Sequence, residues 1–463
     1  MTRPELSKFD GSLTVMEKGT YEREGNHFRM PLGDALLVKT DRLHDFCFSE
    51  VNPLSRDLSV VLGAIRCMDR SVRRLHGERW SRRLYVVMPV YELSTWREPA
   101  VSESLTEMLE YLTGDVWNIN FVKRRHRPPP NGQAPLVSAP EASRTFIPFS
   151  HGLDSYAQGE IFKNKNESVD IVRIRLCATR EEPSMRFLGR ASVKRVTPIP
   201  VATSFLEPKH AEQSFRTRPF LFDMLAAYAA VLSGNREVLI PENGQGSLGG
   251  SLIRMGEEAP HRSCHPGFTT RLAKFIHSLT QIEITFRHPA LYQTKGQVLS
   301  ALKSIHGDSE SWLKGHSSCS YDSRHANKHG RQVHCGVCGN CLLRRMSLHA
   351  ASIEDVTDYK VLDLHAGSLG EGVEANDTFT SEKAYWDLAL NAARSMQRMA
   401  DLPDDMSSSR VMAEAANLSR YQSRPHGDVK ADLSGLLKQH RHEWLNFLAY
   451  CGKQSWVAKL AQG

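Results

Sequence analysis

Apolar and polar positions follow two rhythms along the 463-residue chain. Two stretches rich in β-branched and aromatic residues, 80–90 (WSRRLYVVMPV) and 115–122 (DVWNINFV), predict strands, and 102–112 (SESLTEMLEYL) between them has helical spacing. From about residue 144, short apolar runs alternate with helical segments. Strands are predicted at 145–149, 169–177, 191–201, 237–241 and 283–286, and helices at 152–163, 215–232, 269–279 and 295–305. Such alternation implies βαβ units, hence an α/β fold with a parallel sheet and helices on both faces. The C-terminal part reads as helix at 381–400, 411–421 and 433–460, with a polar hinge at 423–429 carrying Pro425 and Gly427.

These rhythms divide the chain into an N-terminal α+β region over 1–140, an α/β core over 141–353 and a helical extension over 354–463. The first boundary is marked by the basic run Lys123-Arg124-Arg125-His126-Arg127 and by Pro128-Pro129-Pro130-Asn131-Gly132, which suits an exposed loop or linker. The basic run could touch phosphate or simply form a solvated turn.

Composition adds limits. An apolar fraction of 40% and a charged fraction of 24% are those of a folded chain with a full core, which excludes disordered and collagen-like classes. The longest candidate apolar run, 224–232, is far short of the ~20 residues of a membrane span. The first eight residues lack the apolar stretch of a secretion signal, so a cytoplasmic protein is expected. A net charge of +7 permits a polyanionic partner without requiring one.

Candidate chemistry concentrates in two places. The first is Phe149-Ser150-His151-Gly152-Leu153-Asp154-Ser155, between a predicted strand and a predicted helix. A tight turn opening a helix presents unpaired backbone N–H groups and the positive end of the helix dipole, so it takes an anion readily. Ser150 and Ser155 can add hydroxyl donors, Gly152 lets backbone approach a phosphate, and Asp154 can hold a Mg²⁺ that binds one. The same residues also suit a plain serine-capped helix start with an acid in its first turn. No G-x-x-x-x-G-K-[ST] sequence is present, so this is no Walker-type site.

The second is Cys319, Cys335, Cys338 and Cys341, four of nine cysteines within 23 residues. Four thiolates at these spacings suit a closed, structural, tetrahedral Zn²⁺ site. One of His325, His329 or His334 could replace Cys319, and an iron–sulfur cluster is a further alternative. Arg344 and Arg345 just beyond could contact phosphate or line a solvated helix face. A G-x-G-x-x-G match at 244–249 lacks the following helix and acid of a dinucleotide site, and reads as a flexible substrate-pocket loop.

The 150–155 segment resembles the SGGxDS loop of the PP-loop ATP pyrophosphatases, departing from it at His151. Histidine tolerates a left-handed backbone better than a β-branched residue does, so the turn remains open to it. Further segments narrow the resemblance. Cys319 with the run from His334 to Arg345 is similar to the zinc segment of QueC, the 7-cyano-7-deazaguanine synthase family. The segment Phe286-Arg287-His288-Pro289-Ala290-Leu291-Tyr292-Gln293-Thr294-Lys295-Gly296 resembles that family's H-T-P-L-x-x-x-T-K-A-E stretch. The segments at 216–220 and 263–268 resemble its A-R-N turn and D-C-R-P pocket. The resemblance spans about 144–353, with a longer first cysteine gap than the family's usual one. Flanks of this kind are similar to those of the enlarged QueC-like proteins of bacterial anti-phage defence operons.

The resemblance implies a Rossmann-like PP-loop core, ATP and transient Mg²⁺, and structural Zn²⁺. It implies adenylation of a 7-carboxy-7-deazaguanine-type carboxylate and its transfer to ammonia or to the N-terminal amine of a partner protein from the same operon. Site residues then follow by position. Ser150, His151, Gly152, Leu153, Asp154 and Ser155 would hold ATP and pyrophosphate. Asp154, Ser155 and Lys295 would be catalytic, and Arg216, Arg218, Asn243 and His288 would contact substrate. Two other readings stay open: a catalytically degenerate PP-loop scaffold that binds a partner, favoured by His151, and a tRNA-modifying PP-loop enzyme, favoured by the basic run at 123–127. No membrane partner is expected.

Overall fold

The computed structural model describes residues 6–33, 36, 38–75, 79–128, 143–178, 196–203, 211–254, 256, 258–307, 310–320, 326–328, 330–374, 377, 379 and 382–462. It separates into two compact units: Met1–Ser150 with Asn166–Ile240 and Glu257–His288, and His151–Lys165 with Pro241–Gly256 and Pro289–Gly463.

The first unit carries two five-stranded sheets. In chain order the first sheet comprises β1 (Gly11–Met16), β2 (Glu22–Glu24), β3 (His27–Pro31), β4 (Arg83–Val90) and β5 (Val116–Lys123), arranged β2-β3-β1-β4-β5. It is mixed: β2 runs antiparallel to β3, and the other neighbours are parallel. The second sheet comprises β6 (Arg144–Pro148), β7 (Asp170–Ala178), β8 (Val196–Thr203), β9 (Glu237–Leu239) and β10 (Thr285–Arg287). Its order is β10-β9-β6-β7-β8, and every pairing is parallel. All five residues of β6 are buried, as a central strand covered on both faces requires. The α/β class and parallel pairing expected from the alternation are therefore present.

Helix Pro53–Ser71 was not foreseen in the sequence. Asn52 opens it with a reciprocal capping box: its side chain accepts from Ser55 N at 2.9 Å while Ser55 Oγ faces Asn52 N. Leu58, Val61, Leu62 and Ile65 on its inner face join one core with Leu84 and Val86 of β4. Helix Arg218–Leu232 buries Phe220, Met224 and Leu225 in that same core, with Phe146 of β6. Beneath them lies a buried ion cluster. Arg74 grips Asp115 with two bonds of 2.6 and 2.7 Å, and Arg82 reaches both Asp69 and Asp115 at 2.7 Å. Asp69 also accepts from Thr217 N at 2.8 Å, which fixes the start of helix Arg218–Leu232.

The second unit is helical around the cysteine segment. Helices Leu153–Lys165 and Lys295–His306 share a core of Leu153, Ala157, Val298, Leu299 and Leu302. Helices Glu382–Asp401, Ser409–Gln422, His426–Cys451 and Trp456–Gln462 form the C-terminal region.

Three expectations change. Residues 244–249 are not a loop: Gly244–Leu252 is a helix. Its glycines weaken it, but Asn243 caps it by accepting from Gly246 N at 3.1 Å, and Leu248 and Leu252 pack against Leu433, Leu436 and Leu437. The hinge at 423–429 shrinks: Ser423 closes one helix in a left-handed conformation, and the next begins at His426, with Gly427 inside it. The predicted helix 433–460 is two, broken at Gly452, whose φ of +89° favours glycine. The strand predicted at 191–201 is β8, of which 191–195 lie outside the described residues, as do 129–132 of the linker. Among the described residues, no helix is long and apolar enough to cross a membrane.

Candidate phosphate site and metal centre

The residues after β6 turn sharply. His151 takes φ +59°, in the left-handed region that favours glycine. Its carbonyl lies 3.3 Å from Nδ1 of His316, whose ring stacks on Tyr156 at 4.2 Å. Helix Leu153–Lys165 starts at once, with Asp154 in its first turn and Leu153 buried. Ser155 Oγ donates to the Gly152 carbonyl at 3.0 Å, so that hydroxyl braces the turn. Ser150 is exposed.

Asp154 is the hub. Its Oδ2 accepts from Lys295 Nζ at 2.5 Å, and its Oδ1 accepts from Asn243 Nδ2 at 3.0 Å. The same amide nitrogen donates its other hydrogen to Glu242 Oε1 at 2.8 Å. Asn243 is the cap of helix Gly244–Leu252, and Lys295 is the first residue of helix Lys295–His306, which Thr294 and Gln297 open with a second capping box. Three helix N-termini thus meet at one carboxylate. Each contributes roughly half a positive charge.

Sequence reasoning missed Glu242. Burial and the neighbouring Asp154 carboxylate push its carboxyl up to about 8, with Lys295 opposing. A Cβ on Gly246 would lie 2.4 Å from Glu242 Oε1, so only glycine lets the carboxyl rest there. The hint in the sequence was an acid three residues beyond β9.

A second tier holds Lys295. Its backbone N–H donates to Gln245 Oε1 at 2.7 Å, and Gln245 Nε2 lies 2.8 Å from His440 Nδ1. The opposite ring nitrogen, Nε2, lies 2.9 Å from the Met396 carbonyl. The carbonyl can only accept, so Nε2 carries the hydrogen and Nδ1 accepts from Gln245. Burial pushes His440 down to about 4 and keeps the ring neutral. Thr294 Oγ1 donates to Glu443 at 2.5 Å. The C-terminal helix His426–Cys451 therefore reaches the residues that place Lys295.

The other expected site residues lie in the first unit. Arg216 is buried, pairs with Glu258 at 3.4 Å and stacks over Trp80 at 4.6 Å, with Nη1 left without a partner among the described residues. The Arg218 guanidinium lies 5.3 Å from the Phe222 ring. His288 Nε2 bonds with Thr269 Oγ1 at 2.9 Å, and burial, reinforced by His265, pushes its pKa down to about 3. Part of the basic run holds the fold: Lys123 Nζ donates to the Tyr91 carbonyl, Arg124 Nε to Pro89 O at 3.2 Å, and the Arg125 and His126 backbone amides to Glu17, while residues 125–127 are exposed.

The metal centre assembles as its spacing implied. The four cysteine sulfurs lie within 4.8 Å of one another, and Cys335 Sγ is 3.8 Å from Cys341 Sγ. Zinc–sulfur bonds of ~2.3 Å in a tetrahedron set sulfurs about 3.8 Å apart, so the residues fit a structural zinc. The Cys335 amide faces Cys319 Sγ at 3.4 Å and the Cys338 amide faces Cys335 Sγ at 3.3 Å. Gly336 makes the knuckle at φ +86°, where a Cβ would strike the Val361 carbonyl at 2.4 Å. His334 instead bonds with Ser317 at 3.2 Å, while His325 and His329 lie outside the described residues. Arg344 and Arg345 are buried and donate to backbone carbonyls of Leu313, His316, Gly336, Val361 and Leu362, so they brace the cluster.

The fold and these centres define an α/β protein with parallel sheets and a four-cysteine cluster fit for zinc. No family model matches the sequence, and no curated protein matches it.

Proposed function

We propose that the chain is a QueC-like, ATP-dependent ligase, resembling QatC of the Qat anti-phage system, which adenylates a 7-carboxy-7-deazaguanine-type carboxylate and passes it to an amine. The observation that carries this reading is the meeting of three helix N-termini, Lys295 and two carboxylates directly after the left-handed turn at His151. Backbone N–H groups and an ammonium suit a polyphosphate, and the adjacent carboxylates suit the divalent cation that travels with it.

A carboxylate does not react with an amine at neutral pH because its leaving group would be oxide. In the proposed reaction its oxygen attacks the α-phosphorus of ATP and pyrophosphate leaves. The amine then attacks the acyl carbon, AMP leaves, and the amine loses a proton. Lys295 and the helix N-termini would stabilise the departing pyrophosphate. Asp154 and Glu242 would hold Mg²⁺, which supplies charge neutralisation on the phosphates. The acceptor is ammonia or the N-terminus of a partner protein.

Incubation with 7-carboxy-7-deazaguanine, ATP, Mg²⁺ and either ammonium or candidate peptides, read by mass spectrometry, tests it. AMP and a product lighter than the separate substrates by one water are expected. Asp154→Ala and Lys295→Ala should each lower AMP release at least ~100-fold. AMP release unchanged in Asp154→Ala would refute the assignment. A second reading, a partner-binding scaffold without turnover, is favoured by the ion pair that already satisfies Lys295 and Asp154 at 2.5 Å. It predicts no AMP under any acceptor.

A further inference from the structure

We propose that the first unit holds a second small-molecule site, for a phosphomonoester, at the carboxyl edge of its N-terminal sheet. In an open parallel sheet, ligands bind beyond the carboxyl ends of the strands, where the chain's connections leave in opposite directions. That point is identifiable here. β1 lies between β3 and β4; the chain runs from β1 to β3 on one side and from β4 to β5 on the other. Residues that follow the parallel strands all lie at this one edge: Gly33 after β3, Tyr91 after β4 and Arg124 after β5.

A cavity of about 250 Å³ occupies this edge, and all three residues line it. Among the described residues, its charged lining is Lys39, Arg56 and Arg124 against Asp41, with the hydroxyls of Thr40 and Ser59 beside them. Arg56 projects from the first turns of helix Pro53–Ser71, and its Nε is buried with no hydrogen-bond partner among the described residues. A buried guanidinium N–H without an acceptor is costly, and an anion would supply one. Arg124 is aimed by its fold contacts: its guanidinium stacks 4.1 Å from the Tyr91 ring centroid, and Nε donates to Pro89 O at 3.2 Å. Among the described residues, no hydrogen bond takes its terminal nitrogens, which leaves them for a ligand. The nearby Asp57 is already occupied by the Tyr91 and Glu92 amides at 2.7 and 2.8 Å.

Size and charge select the ligand. The cavity is below the ~300 Å³ at which drug-sized ligands are enclosed, so it takes a phosphoryl group and little more. A phosphomonoester carries about −1.5 to −2 at pH 7 and three acceptor oxygens, which matches two arginines and two hydroxyls better than a carboxylate does.

The full-length protein would be titrated calorimetrically with ribose 5-phosphate and inorganic phosphate, in wild type and in Arg56→Gln, Arg124→Gln and Ser59→Asp. Saturable binding of at least one probe is expected. Each variant should weaken it 10-fold or more with an unchanged far-ultraviolet circular dichroism spectrum, and Lys295→Ala should leave it unchanged. The stronger probe identifies whether free phosphate or a sugar phosphate is preferred. No binding of any probe at 10 mM, or binding lost in Lys295→Ala and retained in the folded Arg56→Gln and Ser59→Asp variants, would overturn the proposal.

Discussion

His440 offers a quantitative test of how the C-terminal helix supports Lys295. The ring is buried and neutral, with Nε2–H on the Met396 carbonyl and Nδ1 accepting from Gln245. A second proton on Nδ1 would face the Gln245 amide hydrogens. Gln245 could satisfy it only by turning its oxygen round, which would release the Lys295 backbone N–H now held at 2.7 Å. The sign follows directly. The folded-state pKa of about 4 lies below the ordinary 6.5, so the unfolded chain binds the extra proton more readily. Stability from this residue is complete above pH 6.5 and falls as pH drops towards 4. A difference of about 2.5 pKa units corresponds to roughly 3 kcal/mol. The perturbation is His440→Asn, whose side chain keeps an acceptor for Gln245 and does not titrate. Urea unfolding at pH 7, 6, 5 and 4 would be followed by tryptophan fluorescence, to which Trp444, on the same helix and donating to Gln397 at 2.9 Å, contributes. Wild type should lose about 3 kcal/mol more than the variant between pH 7 and pH 4. Parallel losses in the two proteins would refute the reasoning.

Two further outcomes are expected. The protein purified from cells should contain one zinc per chain by atomic emission, and Cys338→Ser should abolish it and lower the melting temperature; a brown protein with iron and labile sulfide would refute the zinc assignment. Asp115→Ala should cost about 3–5 kcal/mol, because Asp69 alone would then face two buried cations, Arg74 and Arg82; chemical denaturation showing a loss below ~1 kcal/mol would refute that account of the cluster.

What the sequence determined by itself is local. Apolar spacing located β4 and β5, the helices at Pro99–Thr113 and Lys295–His306, and the parallel α/β alternation after residue 144, because an element's period is written in consecutive residues. The cysteine cluster was equally legible, since three of its four ligands fall within seven residues and knuckle turns need little else. The helix Gly244–Leu252 was misread because glycine content argues against helix, whereas burial of Leu248 and Leu252 against the C-terminal helices overrides that preference. Tertiary structure alone decided which charges meet. Asp154 and Lys295 stand 141 residues apart, and Gln245 and His440 195 apart. Nor does any local pattern mark Glu242 as an acid with a raised pKa or the ends of β3, β4 and β5 as one rim, because the dielectric around a carboxyl and the order of strands are set by packing between segments distant in the chain.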